Sequence, residues 1–593
     1  MRSVDDRLRT PGNTFAPKSE DCTMSNPMRP PRAPRPSASL RLLTRPGTRT
    51  GPAARSALPA AALAGALLLA GCSGAADTEP PGSTSAKVNP SADATPTWAP
   101  VTGTPQVIPA VRDFRRAEGR GWRPSKGARV VVPAGEKSNV ADEAQRMAND
   151  LGLGIVYGDQ TVRPGDIEVK LTGKNSDNNV PVRNAADEAY TLTADGTRLT
   201  LTAPTDAGIF YGTRTVKQAV RAAGGLPEGT IQDRPDRPQR GLSLDNARKP
   251  FTQNWIEARL REIADLKLNQ FQLHFSDDQG FRIQSDTHPE IVSADHLTKA
   301  QIRQIIALAR TLHISVVPEL DSPGHLGAVL DHYPALQLRN VQGRVIPGAI
   351  DISNPKSAPL IDSLLKEMSE LFTNPKGAPA YWHLGGDEYQ ALMSSSPATK
   401  YPQLAKAARQ KYGSGATIED LTTGWLNDRQ KTVEAKGKNR VEAWNDGFFA
   451  GGVVTADKNR MVDYWTGKEA GKRDPAEFLR EGRNVMNFND EYLYYVLGEP
   501  NQFVYPTGQR IYQSWTPRVI RGTQPVAVPA SMTGPDRIPG ARFAIWCDLA
   551  QAQTAAQVAA GIRLPLAALA QKTWDPGTPA LSWTDFKALA GRV

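Results

Sequence analysis

From Arg240 onward, short apolar runs alternate with longer stretches of helical period. The runs are Gly241–Leu244, Gln270–Phe275, His313–Glu319, Tyr381–Leu384, Val441–Trp444, Met461–Trp465, Asn484–Asn487 and Arg542–Trp546. Between them, Trp255–Leu266, Lys299–Leu312, Ser357–Phe372, Thr417–Ala435 and Pro475–Glu481 read as helices. The last has Asp474 as a cap and Pro475 as its first residue, a favoured start. Strands alternating with helices of this length predict β/α units. Eight such strands are the number that closes a barrel. The predicted fold class is α/β: a (β/α)8 TIM barrel over 238–593, with a C-terminal tail, preceded by a small α/β domain.

The preceding domain, 105–237, has a different texture. Arg129–Val132 and Asp166–Leu171 read as strands, Asn139–Leu151 and Asp206–Ala222 as helices. Ala189–Thr193 and Arg198–Thr202 flank Ala194-Asp195-Gly196-Thr197, whose Asp-Gly predicts a hairpin. No catalytic constellation stands out in this domain, so its expected role is support.

The N-terminal region explains most of the charge. The chain of 593 residues carries a formal +10, yet residues 1–71 hold 11 Lys/Arg against 4 Asp/Glu, leaving the remainder near neutral at +3. No basic stripe with interleaved aromatics appears, so nucleic acid is not an expected partner. Arg29–Arg55 is basic, and Ala57–Ala70 is an apolar run of 14 residues, too short for a permanent membrane span. It ends Leu69-Ala70-Gly71-Cys72, which resembles a bacterial lipoprotein signal with Cys72 as the lipidated residue; the alternative is an ordinary secretory signal. Residues 1–72 are thus expected to be a leader. Residues 73–104, rich in Ser, Thr, Pro and Gly, read as a flexible tether. The expected location is extracytoplasmic, with membrane contact through the lipid anchor only. The cysteines are Cys22, Cys72 and Cys547, so lipidation of Cys72 would leave no internal disulfide.

Chemistry gathers at the predicted strand ends. They carry Asp245, Asp277-Asp278, Glu319 with Asp321 and His325, Asp387-Glu388, Trp444, Trp465, Tyr492, and Trp546 with Asp548. In a (β/α)8 barrel that rim is the active-site face. The centre is Ala380–Tyr389, where an apolar strand, two glycines and the adjacent carboxylates Asp387 and Glu388 follow in order. Neighbouring carboxylates resist double ionisation, which suits acid catalysis, though acidic residues also gather at helix N-termini. Carboxylates walled by tryptophan suit a sugar. Adjacent residues do not easily span the gap between two glycosidase carboxylates, which suggests a substrate that supplies its own nucleophile, for instance a 2-acetamido oxygen.

These residues carry a resemblance. Arg240-Gly241-Leu242 with Asp245 and Arg248, Lys267-Leu268-Asn269, His274–Asp278, Pro318–His325 and His383–Glu388 together resemble family 20 glycoside hydrolases, the β-N-acetylhexosaminidase family. The resemblance covers about 105–560. It implies a retaining, substrate-assisted mechanism on glycans bearing N-acetylhexosamine. It casts Glu388 as general acid and base and Asp387 as the group holding the acetamido N–H. Trp444, Trp465 and Trp546 would wall the acetyl pocket, and Tyr492 would bond the acetamido oxygen. Arg240 and Asp548 would bind outer hydroxyls, and Asp277 with His325 would tune the acid. Asp245 and Glu319 are read as loop ties outside the catalytic set. The chain departs from the usual pattern at Tyr492-Leu493-Tyr494, where Tyr-Leu-Asp is common, and at Asp548, where Glu is common.

No His-Glu-x-x-His, Cys-x-x-Cys or phosphate loop is present, so no metal or cofactor is expected. Two alternatives accompany the hexosaminidase reading. One is a lacto-N-biosidase releasing a disaccharide. The other is a non-catalytic carbohydrate-binding surface protein, whose signature would be loss of Asp387 or Glu388.

Overall fold

The computed structural model describes residues 98–173, 184–373, 381–437, 439–468 and 473–593. The leader, Cys72 and the tether up to residue 97 lie outside them. The last part of the segment read as tether is packed. Val101 is buried, and the Arg120 and Arg123 guanidinium groups each cover the Trp98 ring at 5.7 Å.

The small domain is built on a seven-stranded sheet: β1 (Asp113–Arg116), β2 (Arg129–Val132), β3 (Gly154–Tyr157), β4 (Ile167–Leu171), β5 (Tyr190–Asp195), β6 (Arg198–Ala203) and β7 (Gly229–Asp233), in the order β1-β7-β5-β6-β4-β2-β3. The predicted hairpin is β5–β6, in register from Thr191↔Thr202 to Asp195↔Arg198. Helix α1 (Lys137–Leu151) and helix α2 (Asp206–Ala223) complete the domain. Thr205 caps α2 by accepting from the Gly208 N–H, and Asp206 through Ala219 are buried without interruption. A helix buried all round has a partner on each side. Its cations find theirs between the two domains: Arg214 and Lys217 pair with Asp265 of the barrel, and Arg214 also with Asp150.

The barrel strands are β8 (Gln239–Asp245), β9 (Gln270–Asp277), β10 (Ser315–Leu320), β11 (Tyr381–His383), β12 (Arg440–Trp444), β13 (Met461–Tyr464), β14 (Val485–Asn487) with its continuation β15 (Tyr494–Val496), and β16 (Gly540–Trp546). All neighbours pair in parallel, and β16 closes on β8 from Gly540↔Gln239 to Ile545↔Leu244. Helices α3 (Gln253–Asp265), α4 (Lys299–Thr311), α5 (Ser357–Phe372), α6 (Ile418–Glu434) and α7 (Pro475–Arg480) lie where the periodicity predicts them. Two more, α8 (Ala555–Trp574) and α9 (Trp583–Ala590), occupy what reads in sequence as a tail. Thr298, Thr417, Asp474 and Thr554 close capping boxes on α4, α6, α7 and α8.

The seventh strand is interrupted. β14 meets β16 only at Asn487↔Ala541, the chain loops out, and β15 rejoins β16 from Tyr494↔Ala544 to Val496↔Trp546. The barrel interior is also unusually polar for a fold whose lumen is normally filled by branched apolar residues. Arg542 donates to Glu442 and Gln272 and contacts Asp463, all fully buried. Above them Glu319 takes hydrogen bonds from Gln272 and Trp444 and faces His274 and His383. Among the described residues, no helix is long and apolar enough to cross a membrane.

Candidate active site

The carboxylate pair follows β11 through a backbone that only glycine accommodates. Gly385 has φ +66°, and a Cβ there would lie 1.7 Å from Asp321 Oδ1. The space is used: the Gly386 N–H donates to Asp321 Oδ1 at 2.8 Å. Glu388 itself is left-handed at φ +44°, and its N–H donates to Asp446 Oδ2 at 2.9 Å. Strained backbone of this kind persists only where the surroundings over-determine it. Asp321 and Asp446 are those surroundings. Both are protonated groups in character: burial, then the Asp387 charge, pushes Asp446 up to about 8 and Asp321 well above the carboxylate range.

One imidazole joins the pair. His325 Nε2 lies 3.6 Å from Asp387 Oδ2 and 3.5 Å from Glu388 Oε2, and Nδ1 lies 3.3 Å from Asp277 Oδ1. Burial alone would depress this histidine, but the charges of Asp277 and Asp387 outweigh it and hold it well above its ordinary value. The contact with that imidazolium, working against burial, holds Glu388 below the usual glutamate range. Glu388 keeps about a third of its side chain exposed (35%), whereas Asp387 keeps 15%.

Asp277 does not face the cleft. It is buried, with Oδ2 bonded to His274 Nε2 at 2.7 Å and to Arg248 at 2.8 Å. Burial would raise it, yet His325 and Arg248 hold it well below the usual range. It stands behind those two neighbours, in a positioning role and not on the cleft surface.

Arg240 requires a correction. It stands at the start of β8, the end remote from the rim, and its side chain is fully buried. The guanidinium pairs with Glu188 at 2.6 Å and donates to the carbonyls of Lys267 and Arg237. It locks the small domain to the barrel and reaches no sugar. The rim arginine is Arg248, just past the C-terminal end of β8. It donates to Asp245 Oδ2 at 3.0 Å, and its guanidinium carbon lies 5.6 Å from the Trp546 ring centroid. Asp245 ties the loops as expected, accepting also from the N–H groups of Ala247, Arg248 and Cys547. Exposed Asp548 feels the Arg248 charge.

The aromatic wall is present, with one change of member. Trp465 and Tyr494 lie parallel, ring centres 5.8 Å apart at 4°. Trp546 stands 5.9 Å from Tyr494 and 5.8 Å from Trp444. Trp444 forms the floor, its indole donating to Glu319 Oε1 at 2.8 Å, while Trp465 donates to Asp446 Oδ1 at 3.1 Å. The Trp546 N–H is buried with no acceptor. Burial and the Asp387 charge hold the Tyr494 phenol well above its ordinary value, so it stays a donor. Tyr492 is not part of this wall. It lies in the excursion between β14 and β15, packs with the outer core beside Leu493 and Tyr495, and has its face covered by Arg510 at 4.2 Å. Two positions after the pocket tyrosine stands Val496, buried beside Trp444.

Glu319 is more than a loop tie, since it carries the pocket floor. Asp446 was missed although it follows β12 by two residues, the same strand-then-carboxylate signal that marks Asp387.

Residues 238–577 match the glycosyl hydrolase family 20 catalytic domain, and residues 104–234 match its domain 2. A lacto-N-biosidase of Bifidobacterium bifidum is 30% identical over 501 residues, 83% of this chain and 42% of that protein. A beta-hexosaminidase subunit beta of Entamoeba histolytica is 25% identical over 358 residues, 57% of this chain and 61% of that one. The chain thus spans less than two thirds of either relative. Among solved structures, a beta-N-acetylhexosaminidase of Streptomyces coelicolor A3(2) superposes with a TM-score of 0.62 at 22% identity, covering 82% of this chain and 95% of that one. That likeness is one of fold.

Proposed function

Since the chain belongs to glycosyl hydrolase family 20, we propose that it releases terminal β-linked N-acetylhexosamine from glycans with retention, using the substrate's acetamido oxygen as nucleophile. The observation that carries this is the aromatic box of Trp444, Trp465, Tyr494 and Trp546 beside Asp387. An acetamido group has an apolar methyl for the box, an N–H for Asp387 and a carbonyl for the Tyr494 hydroxyl. Asp387 holds the N–H and turns the carbonyl oxygen toward the anomeric carbon. As that oxygen attacks, the glycosidic bond breaks and Glu388 gives its proton to the leaving oxygen. The resulting oxazolinium carries its positive charge over the N–C–O atoms of its ring, and the Asp387 carboxylate stabilises it. Water then attacks the anomeric carbon and loses a proton to Glu388, restoring the β configuration.

In the free site the transferable proton belongs to the His325–Glu388 pair and rests on the imidazole. A bound sugar excludes water from the exposed part of Glu388, which favours the neutral acid. Arg248 and Asp548 at the rim serve the outer hydroxyls. The test is hydrolysis of aryl β-GlcNAc and β-GalNAc glycosides. Glu388→Gln loses on the order of 10²–10⁴ in rate with leaving groups that need a proton and less with nitrophenolates. Failure of the folded wild type on every such substrate overturns the proposal.

A disaccharide-releasing reading has its own support. A similar protein, matched over 501 residues, is named a lacto-N-biosidase. The rim beside the box is apolar, with Phe503 stacked on Tyr494 at 6.2 Å, Val504 74% exposed and Leu549 52% exposed. These apolar side chains offer a second sugar a platform. Products from lacto-N-tetraose decide: a disaccharide with little activity on simple aryl GlcNAc selects this reading, whereas free GlcNAc from aryl substrates with the tetraose untouched removes it.

The membrane tether is a further part of the proposal. Leu69-Ala70-Gly71-Cys72 supports lipidation at Cys72 and an extracytoplasmic, membrane-anchored enzyme. Wild type partitions with membranes and Cys72→Ala does not; a fully soluble, unlipidated wild type ends the idea.

A further inference from the structure

Away from the cleft, at the junction of the two domains, three ligand-type side chains converge. Glu143 comes from α1, Asp206 is the first residue of α2, and His313 follows α4 in the barrel. Their donor atoms all lie within 4.8 Å of one another. His313 has φ +55°, and its ring packs on Phe210 at 4.9 Å. Its Nε2 lies 2.9 Å from Glu143 Oε1. Two donors remain open. Glu143 Oε2 and Asp206 Oδ2 are buried with no hydrogen-bond partner, in residues only 1% and 4% exposed. Asp206 Oδ1 is already used by the Ala207 N–H, which leaves Oδ2 to the cluster.

Buried carboxylate oxygens without partners are costly, and native structures normally account for each one. Among the described residues, neither Glu143 nor Asp206 pairs with a lysine or arginine; the side-chain partner of Glu143 is His313, and Asp206 accepts from its own helix. With a neutral imidazole the set carries two negative charges, and Arg146, a cation that feels Glu143, stands outside the cluster. A divalent cation gives both open oxygens a partner at once. One imidazole nitrogen and two carboxylates on separate elements are a donor set that zinc and its first-row neighbours accept, with water completing the shell.

We propose that Glu143, Asp206 and His313 bind one divalent transition-metal ion that staples the small domain to the barrel. Two ligands belong to the small domain and one to the barrel, so bound metal opposes separation of the domains. The role is structural, since these residues lie in the domain junction and not among those that form the cleft.

The test uses full-length protein stripped with a chelator and titrated with Zn2+ by calorimetry. The expected result is about one Zn2+ per chain, with a higher melting temperature in its presence. The isosteric changes Glu143→Gln and Asp206→Asn each weaken binding by at least about tenfold, while aryl-glycoside hydrolysis is retained and reports correct folding. Wild type that binds no Zn2+, or binding unchanged in both variants, overturns the proposal and leaves His313 as an imidazolium shared by two carboxylates. X-ray absorption at the zinc edge of the wild type supplies a test that needs no variant. A shell of nitrogen and oxygen with one imidazole is expected; sulfur, or several imidazoles, overturns it.

Discussion

Glu319→Gln keeps the shape of a buried side chain and removes its charge, and the surroundings of Glu319 allow the cost to be worked out. Oε2 accepts from Gln272 Nε2 at 2.7 Å. Oε1 accepts from Trp444 at 2.8 Å and lies 3.2 Å from each Nδ1 of His274 and His383. Burial would raise this carboxyl, but His383 and His274 hold it well below its ordinary range. A glutamine can keep its oxygen toward Trp444 only by turning its NH2 onto the Gln272 NH2. Gln272 cannot flip in response, because its oxygen accepts from Arg542 at 2.8 Å. The change therefore sets two donors face to face and removes the counter-charge of the His274 imidazole, a loss of about 3–5 kcal/mol. With a slope of about 3 kcal/mol per molar, the urea midpoint falls by about 1 M or more. The sign with pH follows from the depressed value. The charge stabilises the fold above about pH 4.3, the unfolded glutamate value, and that contribution is lost only as pH falls through the folded value. The wild-type advantage should therefore persist from neutrality to about pH 4 and narrow below it. Because Trp444 floors the acetyl box, KM for N-acetyl substrates rises more than kcat falls. A variant within about 0.5 kcal/mol of wild type, with unchanged KM, would refute the claim that this charge holds the floor.

The other predictions follow from single contacts. Tyr494→Phe should lose about 10- to 100-fold in kcat by removing one donor to the acetamido oxygen, and Tyr492→Phe should stay near wild type; the reverse order would return Tyr492 to the pocket. Gly385→Ala should reduce kcat by about 100-fold, since its Cβ would lie 1.7 Å from Asp321 Oδ1 and displace the loop carrying the pair; activity within about threefold, in protein folded by circular dichroism, would show that the loop adapts. The kcat/KM profile should fall above about pH 8, where Asp446, pushed up to about 8, ionises next to Asp387; a profile flat to about pH 10 would deny that coupling.

The barrel was legible because its strands are apolar runs bounded by helices with strong caps, and each of the eight lies within two residues of its predicted start. What failed was reach. Arg240 and Arg248 share one segment, and strand direction alone separates them: one opens β8 at the far end, the other follows its rim end. The rule that placed the site at the rim favours Arg248. Tyr492 rests on the likeness of Tyr492-Leu493-Tyr494 to the family's Tyr-Leu-Asp, and nothing in Phe488–Leu493 announces that the strand resumes at Tyr494. Asp321 and Asp446 both follow strand ends, but their grip on backbone N–H groups depends on a left-handed loop conformation that this signal does not carry. The Glu143, Asp206 and His313 cluster is assembled from three distant elements, so local motifs give no sign of it.

The central claim is that the substrate's acetamido oxygen, set by Asp387 and Tyr494, attacks the anomeric carbon. It is tested most directly by the rates of aryl GlcNAc substrates carrying none, one, two or three fluorines on the acetyl methyl. Fluorine withdraws electrons from the attacking oxygen while changing the size of the group little. The account predicts a steep, progressive fall in kcat/KM along the series. Rates that stay level, with a sugar ester trapped on a carboxylate of the chain, would contradict it.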